Sequence, residues 1–302
     1  MNFELNTEIN RGGAVAIVTG ANTGLGFETS LALAKTGMTV VMACRNTSKA
    51  EAAKATLLAQ QADAKLDVMA LDLCDLASVR AFAEAFKAHY GRLDILVNNA
   101  GIMIPPYRQT VDGFESQFAA NYLGHFLLSS LLFPLLPNTR ESRIVSLSSL
   151  AHIRKPLQFD DIHWRSHYDK NDAYCQSKLA CLMFSDELQR RLSAQGSAVR
   201  AVCVHPGVSP TDLFQNLPGW LMSLLKATVF KLITHAPDKG AMPSIVAALG
   251  NNIRGGEYLG PVGFKEMKGP VGLAKRAPFA SDAAAAGKLW EISEELVGQR
   301  FF

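Results

Sequence analysis

The chain has 302 residues, 48% hydrophobic and 19% charged, with a formal net charge of +3. That length and apolar content suit one large α/β domain or two small ones with a substantial core, and argue against disorder. The mild charge, with no basic cluster, argues against a nucleic-acid partner. The five cysteines, odd in number and without a Cys-x-x-Cys pair, read as reduced, mostly buried thiols of a cytoplasmic protein.

The first 13 residues, MNFELNTEINRGG, read as neither a signal peptide nor an anchor. The longest apolar runs are 126–136, broken by Pro134, and 220–234, broken by Lys226 and Lys231. Both fall short of the roughly 18 to 20 residues a membrane span needs, so no transmembrane segment is expected.

Residues 14–19 form a valine-rich apolar run without alternation, as a strand buried on both faces requires. It leads into Gly20-Ala21-Asn22-Thr23-Gly24-Leu25-Gly26 and a helical pattern to about 35, closed by Gly37. A strand at 39–43, a helix at 48–61 and a strand at 66–70 complete a strand–helix alternation. This is the mononucleotide-binding half of a doubly wound parallel sheet. The Gly-x-x-x-Gly-x-Gly spacing supplies a tight turn, close backbone approach and a helix N-terminus aimed at a pyrophosphate. Arg45 lies 19 residues beyond Gly26, after the second strand, where an NAD-binding protein would place a carboxylate. An arginine there can pair with a 2′-phosphate, which favours NADPH over NADH. Asp72 ends the third strand. Asp75 is better placed to cap the next helix, which leaves Asp72, with Leu73, for the adenine side of a nucleotide.

The fourth strand, 93–97, runs into Asn98-Asn99-Ala100-Gly101, small residues that let a cofactor approach the backbone. Residues 113–136 read as one long helix. The fifth strand, 143–147, ends at Ser148 and Ser149, where such a sheet places ligands. Neither serine reads as a nucleophile, because no histidine–carboxylate pattern accompanies the pair. In the helix over 172–192, Tyr174 and Lys178 are four residues apart and lean toward one face. A positive charge beside a phenol lowers its pKa toward a usable acid. His163 and His167 have helical spacing but no third ligand, so no metal site is read there. A sixth strand, 199–204, precedes His205-Pro206-Gly207-Val208-Ser209-Pro210-Thr211. Residues 213–234 are strongly apolar nearly all round and must cover something. A substrate lid, taken as 208–235, is preferred to a partner or weakly membrane-surface helix and to ordinary core. Residues 238–250, 257–259 and 283–297 read as helix, strand and helix, and Gly255-Gly256 and 269–272 as turns. No linker interrupts residues 1–302, so a single domain is expected.

Together, residues 19–26 (TGANTGLG), Asn98-Asn99-Ala100-Gly101 and Tyr174-x-x-x-Lys178 resemble the short-chain dehydrogenase/reductase family, from about Gly13 to the C-terminus. The stretches ACRN, NYLGHFLLSSLL, RIVSLSSLAH, YCQSKLA and KLWEISEELVG resemble its retinol-dehydrogenase-like branch, including WW-domain oxidoreductase relatives. The 24 residues between Ser149 and Tyr174 fit that branch. The resemblance implies hydride exchange between NADPH and a carbonyl or alcohol. It implies Tyr174 as general acid/base, Lys178 as the group that tunes it, Ser149 in preference to Ser148 as substrate holder, and Asn121 supporting the lysine through a water. It further implies cofactor contacts from Gly20, Asn22, Thr23, Gly24, Leu25, Gly26, Arg45, Asp72, Leu73, Asn98, Ala100, Gly101, Tyr174, Lys178, Pro206, Gly207, Val208 and Thr211. A small apolar aldehyde, ketone or alcohol is the expected substrate, and a homo-oligomer stays open. Two rivals stand. One is a light-dependent protochlorophyllide-type reductase, against which Val208 counts because that group tends to carry cysteine there. The other is a non-catalytic NADPH-binding sensor or scaffold, which would need no such residue set.

Overall fold

The computed structural model describes Phe3, residues 10–207 and residues 237–302. Its centre is one eight-stranded sheet built from β1 (Val15–Thr19), β2 (Thr39–Cys44), β3 (Lys65–Ala70), β4 (Ile95–Asn98), β5 (Arg143–Leu147), β6 (Arg200–Val204), β7 (Tyr258–Pro261) and β8 (Val271–Leu273). The order is β3-β2-β1-β4-β5-β6-β7-β8, parallel through β7. The order reverses between β1 and β4, which opens a crevice at their carboxyl ends. Every residue of β1, β4 and β5 is buried, as expected for strands covered on both faces.

Two helical layers supply the cover. One contains α1 (Gly24–Lys35), α2 (Thr47–Gln60) and α6 (Pro237–Leu249). Their Leu33, Leu57 and Val246 pack on Val18, Met42 and Val204 of the sheet. The other contains α3 (Leu76–His89), α4 (Ser116–Leu135), α5 (Lys170–Ala194) and α7 (Ala283–Val297). There Phe86, Phe126, Leu179 and Trp290 pack on Ile17, Leu96 and Ile144. Carboxylate caps start most of this second layer. Asp75 caps α3, Asp169 caps α5 and Asp282 caps α7, each accepting two backbone N–H bonds. Gly298, at φ 60°, closes α7.

Two features depart from the expected elements. The helix anticipated over 113–136 starts only at Ser116, because the buried Glu115 carboxylate takes the N–H groups of Gln117 and Phe118, both at 2.8 Å. It then opens into a π turn at Ala119–Leu123 before resuming as Gly124–Leu132. The whole stretch is long and apolar enough to cross a bilayer, yet 78% of its most apolar window is buried inside the protein, which makes it a core helix here. The second departure is β8. The glycines at 269–272, read as turns, include residues of a strand that pairs antiparallel with β7 through Leu259–Leu273 and Pro261–Val271. Three residues with a glycine at the centre carry little local strand signal, and the ladder to β7 decides the conformation.

Candidate active site

The glycine loop shapes the crevice at β1. Gly20 and Gly24 adopt φ values of 64° and 56°, which favour glycine. Gly26 faces a different constraint: a Cβ there would lie 2.4 Å from the Gly20 carbonyl oxygen and 2.6 Å from Asn99 Nδ2. Thr23 is the N-cap of α1 but makes no side-chain cap, and the first turn has no acidic residue, so the helix presents backbone N–H groups to the crevice. Nothing lies within 4 Å of a Cβ at Gly24. This cradle fits a pyrophosphate. Gly26→Ala should therefore displace the loop backbone, at roughly 1–3 kcal/mol of stability. A lower thermal midpoint together with weakened nicotinamide-cofactor binding in a fluorescence titration is the expected result.

The Asn98–Gly101 segment is tied to β1 through Thr19. The Thr19 hydroxyl oxygen accepts the N–H groups of Asn99 and Ala100, each at 2.9 Å, and Asn99 Nδ2 donates to the Thr19 carbonyl at 2.7 Å. In the sequence Thr19 and Asn99 appear only as members of their motifs, with no sign of these bonds. Asn98 turns its amide toward α4 and donates to Ser129 at 3.0 Å, so its backbone is what remains for a cofactor. Leu73 is likewise a core residue, with its carbonyl and side chain packed against Gly124. Asp72 folds its carboxylate onto the Cys74 N–H at 2.9 Å. Arg45 is exposed just beyond β2. Burial and the Asp72 charge push the Cys74 thiol up, while Arg108 and Arg45 pull the other way. A second guanidinium, Arg108, thus shares the Asp72–Cys74 corner with Arg45. Its position on the long loop after β4 gave no sequence signal for this.

The reaction end lies at β5 and α5. Ser148 is buried and donates its hydroxyl to the Lys178 carbonyl at 2.7 Å. Ser149 is half-buried, and its hydroxyl accepts the Ala151 N–H at 3.2 Å. Strand alternation separates the pair, giving Ser148 a structural bond and leaving Ser149 toward the crevice. Tyr174 is half-buried in the second turn of α5. Lys178, 4% exposed, holds its Nζ 5.9 Å from the Tyr174 ring centroid and donates to the Leu147 carbonyl at 2.9 Å.

Asn121 occupies the π turn. Its Oδ1 accepts the Ile102 N–H at 2.7 Å, and its Nδ2 donates to the Ile102 carbonyl at 3.0 Å and to Ser177 Oγ at 2.9 Å. Ser177 in turn donates to the Tyr174 carbonyl at 2.8 Å. A Cβ on Gly101 would lie 3.1 Å from Asn121 Oδ1 and 3.4 Å from Lys178 Nζ. The end of β4 therefore meets both helices at one glycine. π turns of this kind cluster at functional sites.

Several supporting residues escaped the sequence reading. His152 is buried. Its Nδ1 donates to the Ser149 carbonyl at 2.8 Å while its Nε2 accepts the Ala277 N–H at 3.3 Å. Tyr258 OH reaches the same carbonyl at 3.4 Å. His125 bridges Thr19 and Asn121. Burial drives its pKa down to about 4, with a smaller contribution from Lys178. His205 Nδ1 accepts the Gly207 N–H at 3.2 Å, and burial takes its pKa to about 3. Gly207, at φ 81°, packs where a Cβ would meet the Met267 carbonyl oxygen at 2.4 Å, and Pro206 precedes it. His163 and His167 are kept apart by their surroundings: the first is buried against Phe114 and Phe118, the second exposed. Val208, Thr211 and the 208–235 segment read as a lid lie outside the described residues.

A family model described as short chain dehydrogenase matches residues 14–221. Retinol dehydrogenase 13 of Homo sapiens is 41% identical over 290 residues, covering 95% of this chain and 85% of that protein. Retinol dehydrogenase 12 of Mus musculus is 40% identical, covering 97% and 89% respectively. The crystal structure of an uncharacterised protein from Mycobacterium paratuberculosis superimposes with a TM-score of 0.81 at 38% identity, with all of both chains covered.

Proposed function

The chain belongs to the short-chain dehydrogenase family and is an oxidoreductase of alcohol or carbonyl groups that uses a nicotinamide cofactor, and from that premise we propose NADPH-dependent interconversion of an apolar aldehyde or ketone and its alcohol. When bound, the reduced cofactor supplies the hydride to the carbonyl carbon. Tyr174 gives the carbonyl oxygen its proton and takes it back in the reverse direction. Lys178, fixed by the Leu147 carbonyl, favours the phenolate form of Tyr174 through its charge. Ser149 orients the substrate oxygen, with its backbone steadied by His152 and Tyr258. Asn121 holds α4 against Ile102 and α5, which sets the spacing around Lys178.

The observation that carries this reading is the meeting of Gly101, Asn121 and Lys178, one turn from Tyr174, at the carboxyl end of a parallel sheet. The names of the relatives support a retinol-like primary alcohol or its aldehyde as the substrate class. The test is NADPH oxidation against a panel of aldehydes, ketones and quinones, with NADH run beside it.

Arg45 is the basis for the cofactor preference. A charge-assisted hydrogen bond to a 2′-phosphate is worth about 1.5–3 kcal/mol, or roughly 10- to 100-fold. Arg45→Glu should raise the KM for NADPH by at least that factor and leave or improve the KM for NADH. Faster turnover of the unaltered protein with NADH would overturn the assignment.

A further inference from the structure

His125 is 3% exposed, lies just beyond the π turn, and performs no step in the mechanism above. Its Nδ1 is 3.0 Å from the Asn121 carbonyl oxygen and its Nε2 is 2.9 Å from Thr19 Oγ1. A carbonyl oxygen only accepts, so Nδ1 carries the proton and Nε2 is left as an acceptor. The Thr19 hydroxyl therefore donates to Nε2. Its oxygen remains free to take the Asn99 and Ala100 N–H groups, as the 2.9 Å distances show. If that hydroxyl turned instead to the Val97 carbonyl at 3.4 Å, Nε2 would become a buried acceptor without a donor.

Each bond in the series then has one direction. From Asn99 and Ala100 it passes through Thr19 and His125 to the Asn121 carbonyl. On the other side of Asn121, its amide donates to Ser177, and Ser177 donates to the Tyr174 carbonyl. The Asn121 carbonyl also receives the Cys181 thiol at 3.1 Å, so two side-chain donors meet inside the π turn.

We propose that His125 is a positioning residue that pins the Asn121 carbonyl to the carboxyl ends of β1 and β4, holding the cofactor-binding edge in register with the Tyr174–Lys178 helix. This rests on the reading of Asn121, Tyr174 and Lys178 as the reaction centre. An apolar side chain of the same shape fills the space but makes neither bond.

The two bonds can be separated. His125→Asn places an amide where Nδ1 stands, His125→Gln reaches the Nε2 position, and His125→Phe does neither. The measurements are NADPH Kd by fluorescence titration, kcat and KM with the best carbonyl of the panel, the pH profile of kcat, and the thermal midpoint. Loss of one buried hydrogen bond corresponds to roughly tenfold. His125→Gln should keep the NADPH Kd within about twofold and lose about tenfold in kcat, with a displaced pH profile. His125→Asn should weaken NADPH binding about tenfold and lose less kcat than the glutamine variant. His125→Phe should lose both, and none of these effects should follow the thermal midpoint. Asn and Gln variants that behave alike, variants that keep both constants, or losses proportional to the thermal midpoint would each overturn the proposal. Failure of the unaltered protein to reduce any carbonyl would count against the proposed function instead. In that case the order of the Asn and Gln variants in NADPH Kd alone still decides the role of His125.

Discussion

Tyr174→Phe should lower carbonyl reduction about 10²- to 10⁴-fold while leaving the NADPH Kd within a few-fold and the thermal midpoint nearly unchanged. That range corresponds to about 3–5 kcal/mol of transition-state stabilisation. The loss falls on chemistry because the backbone at this position is held by groups other than the phenol. Asp169 caps the helix with bonds of 2.8 Å to the N–H groups of Asn171 and Asp172. Asp172 anchors the same turn by pairing with Arg154 and Lys155. Ser177 holds the Tyr174 carbonyl, and the phenylalanine ring can still lie near Lys178 Nζ. What disappears is the proton donor. Steady-state kinetics with the panel's best substrate, a cofactor titration and a melting curve on one preparation make the check. Retention of near-normal kcat would show that another group supplies the proton.

The doubly wound parallel sheet and the position of its crevice were legible because they depend on local signals: valine-rich runs, glycine turns and the alternation of strand and helix patterns. Strand and helix limits differ by one or two residues, as at β4, which runs from Ile95 although the Asp94 backbone already bonds Val15 and Arg143 on the neighbouring strands. The π turn was not legible. The residues from Ala119 to Leu123 have ordinary helical character, and the change of register is made by Asn121 binding Ile102 and Ser177 on other elements. The same reason hides His125 and His152. A histidine within an apolar helix or loop gives no sign of its partners, and here those partners lie 106 and 125 residues away in sequence. Ser148 and Ser149 were distinguishable by resemblance alone until the Ser148 bond to the Lys178 carbonyl showed which one is structural. The choice between them is a matter of which face of the strand end each occupies, and that is fixed by pairing across β4, β5 and β6.

Acid should destabilise this protein well before ordinary carboxylates titrate. Burial lowers His125 and His163 to a pKa of about 4 and His205 to about 3, and it lowers His152 as well. In the unfolded chain these imidazoles titrate near 6.5. Between about 6.5 and 4 the unfolded state therefore binds more protons than the folded state. Stability is full above 6.5 and falls as the pH drops through this window. Each such histidine costs up to about 1.4 kcal/mol per pH unit, so three at pH 4.5 cost roughly 8 kcal/mol. Asp186 acts in the opposite direction. Burial raises it to about 6 despite its ion pair with Arg276, so protonation there returns about 2 kcal/mol by pH 4.5. The net loss of roughly 6 kcal/mol at pH 4.5 is comparable to the whole stability of many domains. Urea unfolding at pH 8, 6 and 5 should show a steadily falling midpoint. His163→Phe isolates one contribution, because its ring stacks on Phe114 at 5.2 Å and neither ring nitrogen has a hydrogen-bond partner among the described residues. A phenylalanine there keeps the packing and removes the proton acceptor. The pH slope should fall by about one proton, with stability at pH 8 unchanged or higher. A midpoint that stays flat from pH 7 to 5, or an unchanged slope in His163→Phe, would mean that the buried imidazoles gain protons without unfolding the chain.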